Sequence, residues 1–189
     1  SRIQKDDLEH LLRKLRSLFR IAEELSICVF AEGLFPKLTS LLVETMNYQN
    51  VYIFAKTSLE ERITFRAHKS SVEEDLFSRE SLECYRRLVE QVAGTGQPWW
   101  YPNLNDADRG VLIPENAGSA LAVPVRSQDE IWGVLIVDHR EEEGLSPRDL
   151  ELLTIASSHL ALELESRDAV GKGHGAARDE DVVALVGAR

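Results

Sequence analysis

Ser119-Ala-Leu-Ala-Val-Pro-Val-Arg126, Ser127-Gln-Asp-Glu130 and Ile131-Trp-Gly-Val-Leu-Ile-Val-Asp-His139 decide the fold. Two apolar runs rich in β-branched residues flank four polar ones, the pattern of two strands joined by a short loop. Moving toward the N-terminus, Trp99–Tyr101 reads as a short aromatic strand, and Pro102 forbids it from being a long central one. Between it and Ser119 lies Asn103–Asn116, polar, turn-rich and without clear periodicity. A helix from Ser78 carries Leu82, Tyr85, Leu88, Val89 and Val92 and stops at Gly94, with Gly96 and Pro98 close behind. Val51–Ala55 and Arg62–His68 form an earlier pair of strands around the loop Lys56–Glu61. In the second of these, Ile63, Phe65 and Ala67 alternate with Arg62, Thr64, Arg66 and His68, which predicts one wet face.

Helices close both ends. Residues 3–30 place Leu8, Leu11, Leu15, Leu18, Ala22, Leu25 and Val29 at alternating spacings of three and four, a heptad seam. Leu12, Phe19 and Ile21 widen the stripe, so this helix suits either a partner helix or its own core. Residues 34–47 form a second helix with Pro36 in its first turn. After the last strand, Ser146-Pro147 supplies an N-cap and a first-turn proline for a helix to about Arg167. Its seam is Leu150, Leu153, Ser157, Leu160 and Leu164. Residues 169–189 carry Gly171, Gly173, Gly175 and Gly187 and no aromatic, the composition of a flexible linker toward an output domain. The order helix, helix, strand, strand, helix, short strand, loop, strand, strand, helix defines an α+β fold. It is an antiparallel sheet with helices on one face and a loop-and-helix cover on the other.

The chain has 189 residues and a net charge of -10, with 43% apolar and 29% charged residues. That size and composition suit one folded domain with helical extensions, here residues 1–168. The acidic balance argues against direct nucleic-acid contact, which needs a basic patch. The longest apolar runs, Gly118–Val125 and Ile131–Val137, fall far short of a membrane span. Residues 1–16 are crowded with charge, unlike a secretory signal. Cys28 and Cys84 are too few for a disulfide scaffold and favour a reducing, cytoplasmic setting. A start at Ser1 suggests a piece of a longer protein.

Four segments together resemble GAF domains. Val89-Glu-Gln-Val-Ala-Gly-Thr-Gly-Gln-Pro-Trp-Trp-Tyr101, continuing to Asp106, is similar to their helix–Gly-x-Gly-x-Pro–strand–Asp segment. Gly118–Val125 resembles their central strand ending in Val-Pro, Ile131–Asp138 the strand after it, and Leu145–Leu164 the closing helix. The resemblance implies a PAS-like antiparallel sheet that holds a small ligand against the 103–116 cover. It also implies a sensory role in a multidomain signalling protein, with output through a histidine kinase, a cyclase or an AAA+ transcription activator. The run from Val182 to Gly187 looks like the segment that introduces the AAA+ module of sigma-54-dependent activators. Both heptad seams suit a homodimer through residues 8–29 and 150–164, whose helices shift between two arrangements.

Carried onto this chain, the pocket residues are Trp99, Tyr101, Asn103, Asp106, Arg109 and Ser119. Strand alternation puts Trp99 and Tyr101 on one face, as an aromatic wall or as plain core. Asn103, Asn105, Asp106 and Asp108 could offer oxygens to a hard cation, or simply form turns and caps. Arg109 suits a carboxylate or phosphate, and the Ser119 hydroxyl could reach a pocket mouth. The ligand and any cofactor stay unidentified. Cys84 has no histidine beside it, as a bilin anchor often has, and Cys28 and Cys84 are not the neighbouring pair of free-methionine-sulfoxide reductases. The cyclic-nucleotide signature is missing. The histidines are scattered, with His68 and His139 as the plausible pocket imidazoles. No metal site, catalytic constellation or paired acid emerges, and no enzyme activity is expected.

Overall fold

The computed structural model describes the backbone of residues 2–72, 78–101, 109–142 and 144–186. Side chains are described over 4–72, 78–100, 109–142 and 144–167. Its elements are α1 (Arg2–Ser26), α2 (Ala31–Met46), β1 (Asn50–Ala55), β2 (Thr64–Ser70), α3 (Arg79–Thr95), β3 (Trp99–Tyr101), β4 (Ser119–Arg126), β5 (Ile131–His139) and α4 (Pro147–Val186). The strands form one sheet in the order β2-β1-β5-β4-β3, every neighbour antiparallel. The hairpin of β4 and β5 supplies two of the three inner strands, which is why its sequence is apolar on consecutive residues.

Each face of the sheet has its own core. Toward α1, α2 and α4 point Val51, Ile53, Leu121, Val123, Trp132, Leu135 and Val137, packed on Ile21, Leu25, Leu38, Leu42, Leu153 and Leu160. Toward α3 point Tyr52, Phe54, Ala120, Ala122, Val134 and Ile136, packed on Tyr85, Leu88, Val92, Trp99 and Ile113. Burial of both faces is the physical origin of the uninterrupted apolar runs.

Local chemistry sets the element ends. Ser78 caps α3 by accepting from the Ser81 N–H, and Gly96 ends it at φ +67° with its N–H on the Val92 carbonyl. The helix therefore passes through Gly94, where the sequence predicts the stop, because the left-handed residue that closes it is Gly96. Asn47 closes α2 in the same left-handed way. Asp149 supplies the reach-back half of a capping box at the start of α4: its Oδ2 accepts from the Ser146 backbone N–H at 2.7 Å and from the Ser146 hydroxyl at 3.0 Å.

Several expectations are corrected. α1 ends at Ser26, so Val29 lies in the turn and not on a seam. Helix α2 starts at Ala31, which moves Pro36 inside it, past the first turn. In β2 the alternation breaks: Ile53 pairs with Ala67 but Phe54 with Phe65, leaving Arg66 as a bulged extra residue. His68 thereby joins Phe65 on the α3 face, while Arg66 reaches the other side, over the Phe35 ring and onto Glu32. α4 continues to Val186, beyond the expected end near Arg167. No proline follows Pro147 to interrupt it.

The two seams differ. On α4, Leu153, Ser157, Leu160 and Leu164 are buried in the chain's own core, and Ile155 and Leu162 are left outside. On α1, Leu18, Ile21 and Leu25 are buried, whereas Leu8, Leu11, Leu12, Leu15 and Phe19 are exposed, Phe19 at 72%. Lys14 Nζ lies 3.8 Å from Asp149 Oδ1, and Arg167 donates to the carbonyls of Leu25 and Cys28. The two helices therefore run side by side in the same direction.

Candidate functional site

The α3 face of the sheet ends in a buried polar cluster. Asp138 stands one step beyond Val134 and Ile136 on the same face of β5, and it is 5% exposed. Its Oδ2 accepts from the Tyr85 hydroxyl, and its Oδ1 accepts from Asn50 Nδ2 at 2.8 Å. Asn50 Oδ1 lies 3.4 Å from His68 Nε2. Tyr52 stacks on His68, with ring centroids 4.5 Å apart, and meets Tyr85 at a tilt of 58°, with centroids 4.7 Å apart. The cluster joins β5, β1, β2 and α3. Burial pushes the Asp138 carboxyl up to about 6, against the hydrogen bonds of Tyr85, Asn50 and Tyr52 and the charge of Arg140. Burial, with the Asp138 charge beside it, holds the Tyr85 hydroxyl well above its ordinary range.

A cavity of about 20 Å³ borders this cluster, walled by Asn50, Ser70, Ser81, Asn116, Asp138 and Arg140 among others. That is room for one or two waters. Elsewhere the face is filled by Tyr85, Phe54, Trp99 and Ile113. The larger concavity, about 910 Å³, is an open groove on the other side of the molecule, between the α1–α2 turn, Leu59 and the Arg167 end of α4. Arg167 there serves α1's terminal carbonyls, and the groove gathers no buried polar cluster.

Of the expected pocket residues, the three whose side chains are described, Trp99, Arg109 and Ser119, lie apart. Trp99 is buried on the α3 face, where alternation sends it. Tyr101 pairs with Ala120 in β3, and its side chain lies outside the described residues, as do Asn103 and Asp106 entirely. Arg109 bridges to Ile113, and its Nη2 is 3.4 Å from Glu142 Oε1 at the surface. Ser119 alternates with Ala120 and belongs to the helix face, with its hydroxyl donating to the Glu141 carbonyl at 2.8 Å. It does not line the cavity. Of the two imidazoles, His68 reaches the cluster, whereas His139 lies on the opposite face, edge-on to Tyr48 at 6.1 Å. Burial lowers its affinity for a proton.

Asp138, Tyr85, Asn50 and Tyr52 were not legible as a site. The available signal was a carboxylate closing an apolar strand in step with Val134 and Ile136, which puts a charge on a buried face. Cys28 packs against the helix-side core and Cys84 sits on α3, so the sheet separates the thiols. Among the described residues no three His, Cys, Asp or Glu gather as a metal site, and no helix is long and apolar enough to cross a membrane.

A five-stranded antiparallel sheet in this order, between the helices α1, α2 and α4 and a cover that includes α3, defines a small α+β domain. The GAF domain family model matches residues 31–164, and the chain belongs to the GAF family, whose members are sensory and regulatory domains of signalling proteins. It resembles the GAF domain of an Acinetobacter phosphoenolpyruvate-protein phosphotransferase (22% identity, TM-score 0.65, covering 82% of this chain and 95% of that one). It is also similar to the GAF domain of a putative sensor histidine kinase from Pseudomonas syringae pv. tomato (16%, 0.61, 89% and 98%). A third relative is the free methionine-R-sulfoxide reductase of Neisseria meningitidis, solved with its substrate (15%, 0.63, 82% and 91%). At these identities the likeness is one of fold. No curated protein matches the sequence.

Proposed function

We propose that this domain is the sensor of a multidomain signal-transduction or transcription-regulating protein, and that it signals as a homodimer through its terminal helices. The observation that carries this reading is the stripe Leu8, Leu11, Leu12, Leu15 and Phe19, exposed on a helix whose other end is buried. Five large apolar side chains on one helix stripe mark an interaction surface. With the α4 seam buried in its own chain, the contact narrows from residues 8–29 and 150–164 to this stripe. A change in the sheet is felt by the dimer because α4 packs on the sheet and is tied to α1 at Asp149 and Arg167. A small molecule at the α3 face is the input, and the mechanism is a population shift between helix arrangements. The protein works in the cytoplasm, without catalysis and without touching nucleic acid through this domain. Its output domain follows α4, and the Val182–Val186 run favours a sigma-54-dependent activator.

A second reading, a ligand-free dimerisation module, is favoured by one observation: the cavity that the described residues leave beside the polar cluster on the α3 face is about 20 Å³. Light scattering with a thermal-shift screen of metabolites and cyclic nucleotides separates the two. Ligand at about a hundredfold over its Kd stabilises by roughly 2.7 kcal/mol, a shift of a few degrees. A dimer with a hit supports the sensor, and a dimer with none supports the module. Leu12→Glu with Leu15→Glu should give a folded monomer, and a wild-type monomer at about 100 µM would overturn both readings.

A further inference from the structure

We infer that the carboxyl of Asp138 is a proton-binding site that governs how firmly α3 is held on the sheet, closed when protonated and loosened when ionised. The geometry is that of a clasp. Tyr85 is the residue through which α3 reaches the polar end of the sheet, fully buried, with its hydroxyl on Asp138 Oδ2. Asn50 holds the other carboxyl oxygen to β1, and through Asn50 the contact extends to His68 on β2.

Among the described residues, the charged and titratable groups facing Asp138 are few. They are Tyr85 from α3, Tyr52 from β1, His68 from β2 at one remove, and Arg140 just past β5, while Asn116 and Ala117 bring no charge from the cover. One exposed guanidinium does not offset the loss of water around an ion so deeply placed, and desolvation outweighs the hydrogen bonds. A charged carboxylate therefore gains by any opening that lets water in, and the water-sized cavity beside it is where water would enter. A neutral carboxyl has no such drive. By linkage, a state that binds the proton more tightly is the state the proton favours, so acid closes the clasp. This holds whether or not a small molecule also binds at this face.

Amide hydrogen exchange of α3 between pH 4 and 7, corrected for intrinsic exchange, tests it in the whole chain. Protection at residues 84–92 should fall by up to about a hundredfold as pH rises, because the open and closed carboxyl values, 3.8 and about 6, lie about two pH units apart. Asp138→Asn should abolish that dependence. Flat protection in the wild type, or an unchanged slope in Asp138→Asn, would overturn the inference, the latter passing the effect to another group such as His68. If the variant does not fold, carbon-detected titration of wild-type Asp138 decides: a midpoint near 6 supports the clasp and one near 3.8 overturns it.

Discussion

Gly133 shows how a single residue can be required by backbone alone. A Cβ there would lie 2.1 Å from the Phe54 carbonyl oxygen and 2.8 Å from Ala55 Cα, across the β1–β5 pairing. Neither backbone atom can move without breaking the ladder at the centre of the sheet. Gly133→Ala should therefore cost about 3 kcal/mol or more, or prevent folding, as read from the urea midpoint. Tyr48 is a milder case. Its buried hydroxyl donates to Asp149 Oδ1 at 2.9 Å, and burial with the Asp149 charge holds its own ionisation far above the ordinary range. Tyr48→Phe leaves that buried oxygen short of a partner and should lower stability by about 2 kcal/mol with an unchanged m-value. Sequence patterns report such roles poorly, because each depends on one partner about a hundred residues away or on a strand facing it.

At the scale of elements, propensity and capping were readable wherever they act locally. Ser146-Pro147 announces the start of α4, but the acceptor seen there is the Asp149 carboxylate, which takes both the Ser146 N–H and its hydroxyl. Ser146→Ala removes the hydroxyl's bond to Asp149 and should cost about 1 kcal/mol, measurable as a lowered denaturation midpoint. The seams were legible as apolar and illegible as to what they touch. Heptad spacing on α4 describes a face buried in its own core, and the same spacing on α1 describes a face that is half buried and half exposed. Periodicity reveals that a stripe will be covered, not by which chain. The bulge at Arg66 escaped for a related reason. One extra residue turns the end of β2 over, and only the pairing with β1 shows it.

For the molecule as a whole, a buried carboxyl and a half-buried imidazole on opposite faces of the sheet set opposing pH dependences. Asp138 has a raised folded value, so between its ordinary 3.8 and about 6 the folded chain binds more protons than the unfolded one. Its contribution to stability falls as pH rises through that window. His139 has a lowered value, so its contribution is present above about 6.5, its ordinary value, and is lost as pH falls below that. In the wild type the two slopes oppose each other. Asp138→Asn should expose the His139 slope, with stability dropping in acid, and His139→Gln should expose the reverse. Urea titrations at fixed pH check both, and parallel curves for the two variants would show the assignment of the slopes to be mistaken.

What the sequence determined by itself was the set of elements, their order and the α+β class, with four GAF-like segments in register. These follow from hydrophobic period, caps and turn residues, all of which act within a few positions of one another. The tertiary structure alone decided where the polar centre lies. Alternation could place Trp99 on a face, but only pairing and packing set that face against α3, turned Ser119 away to the other side, and brought Asp138 to Tyr85 and Asn50. A buried charge is recognised by what surrounds it, and its surroundings come from three distant segments that no local pattern connects.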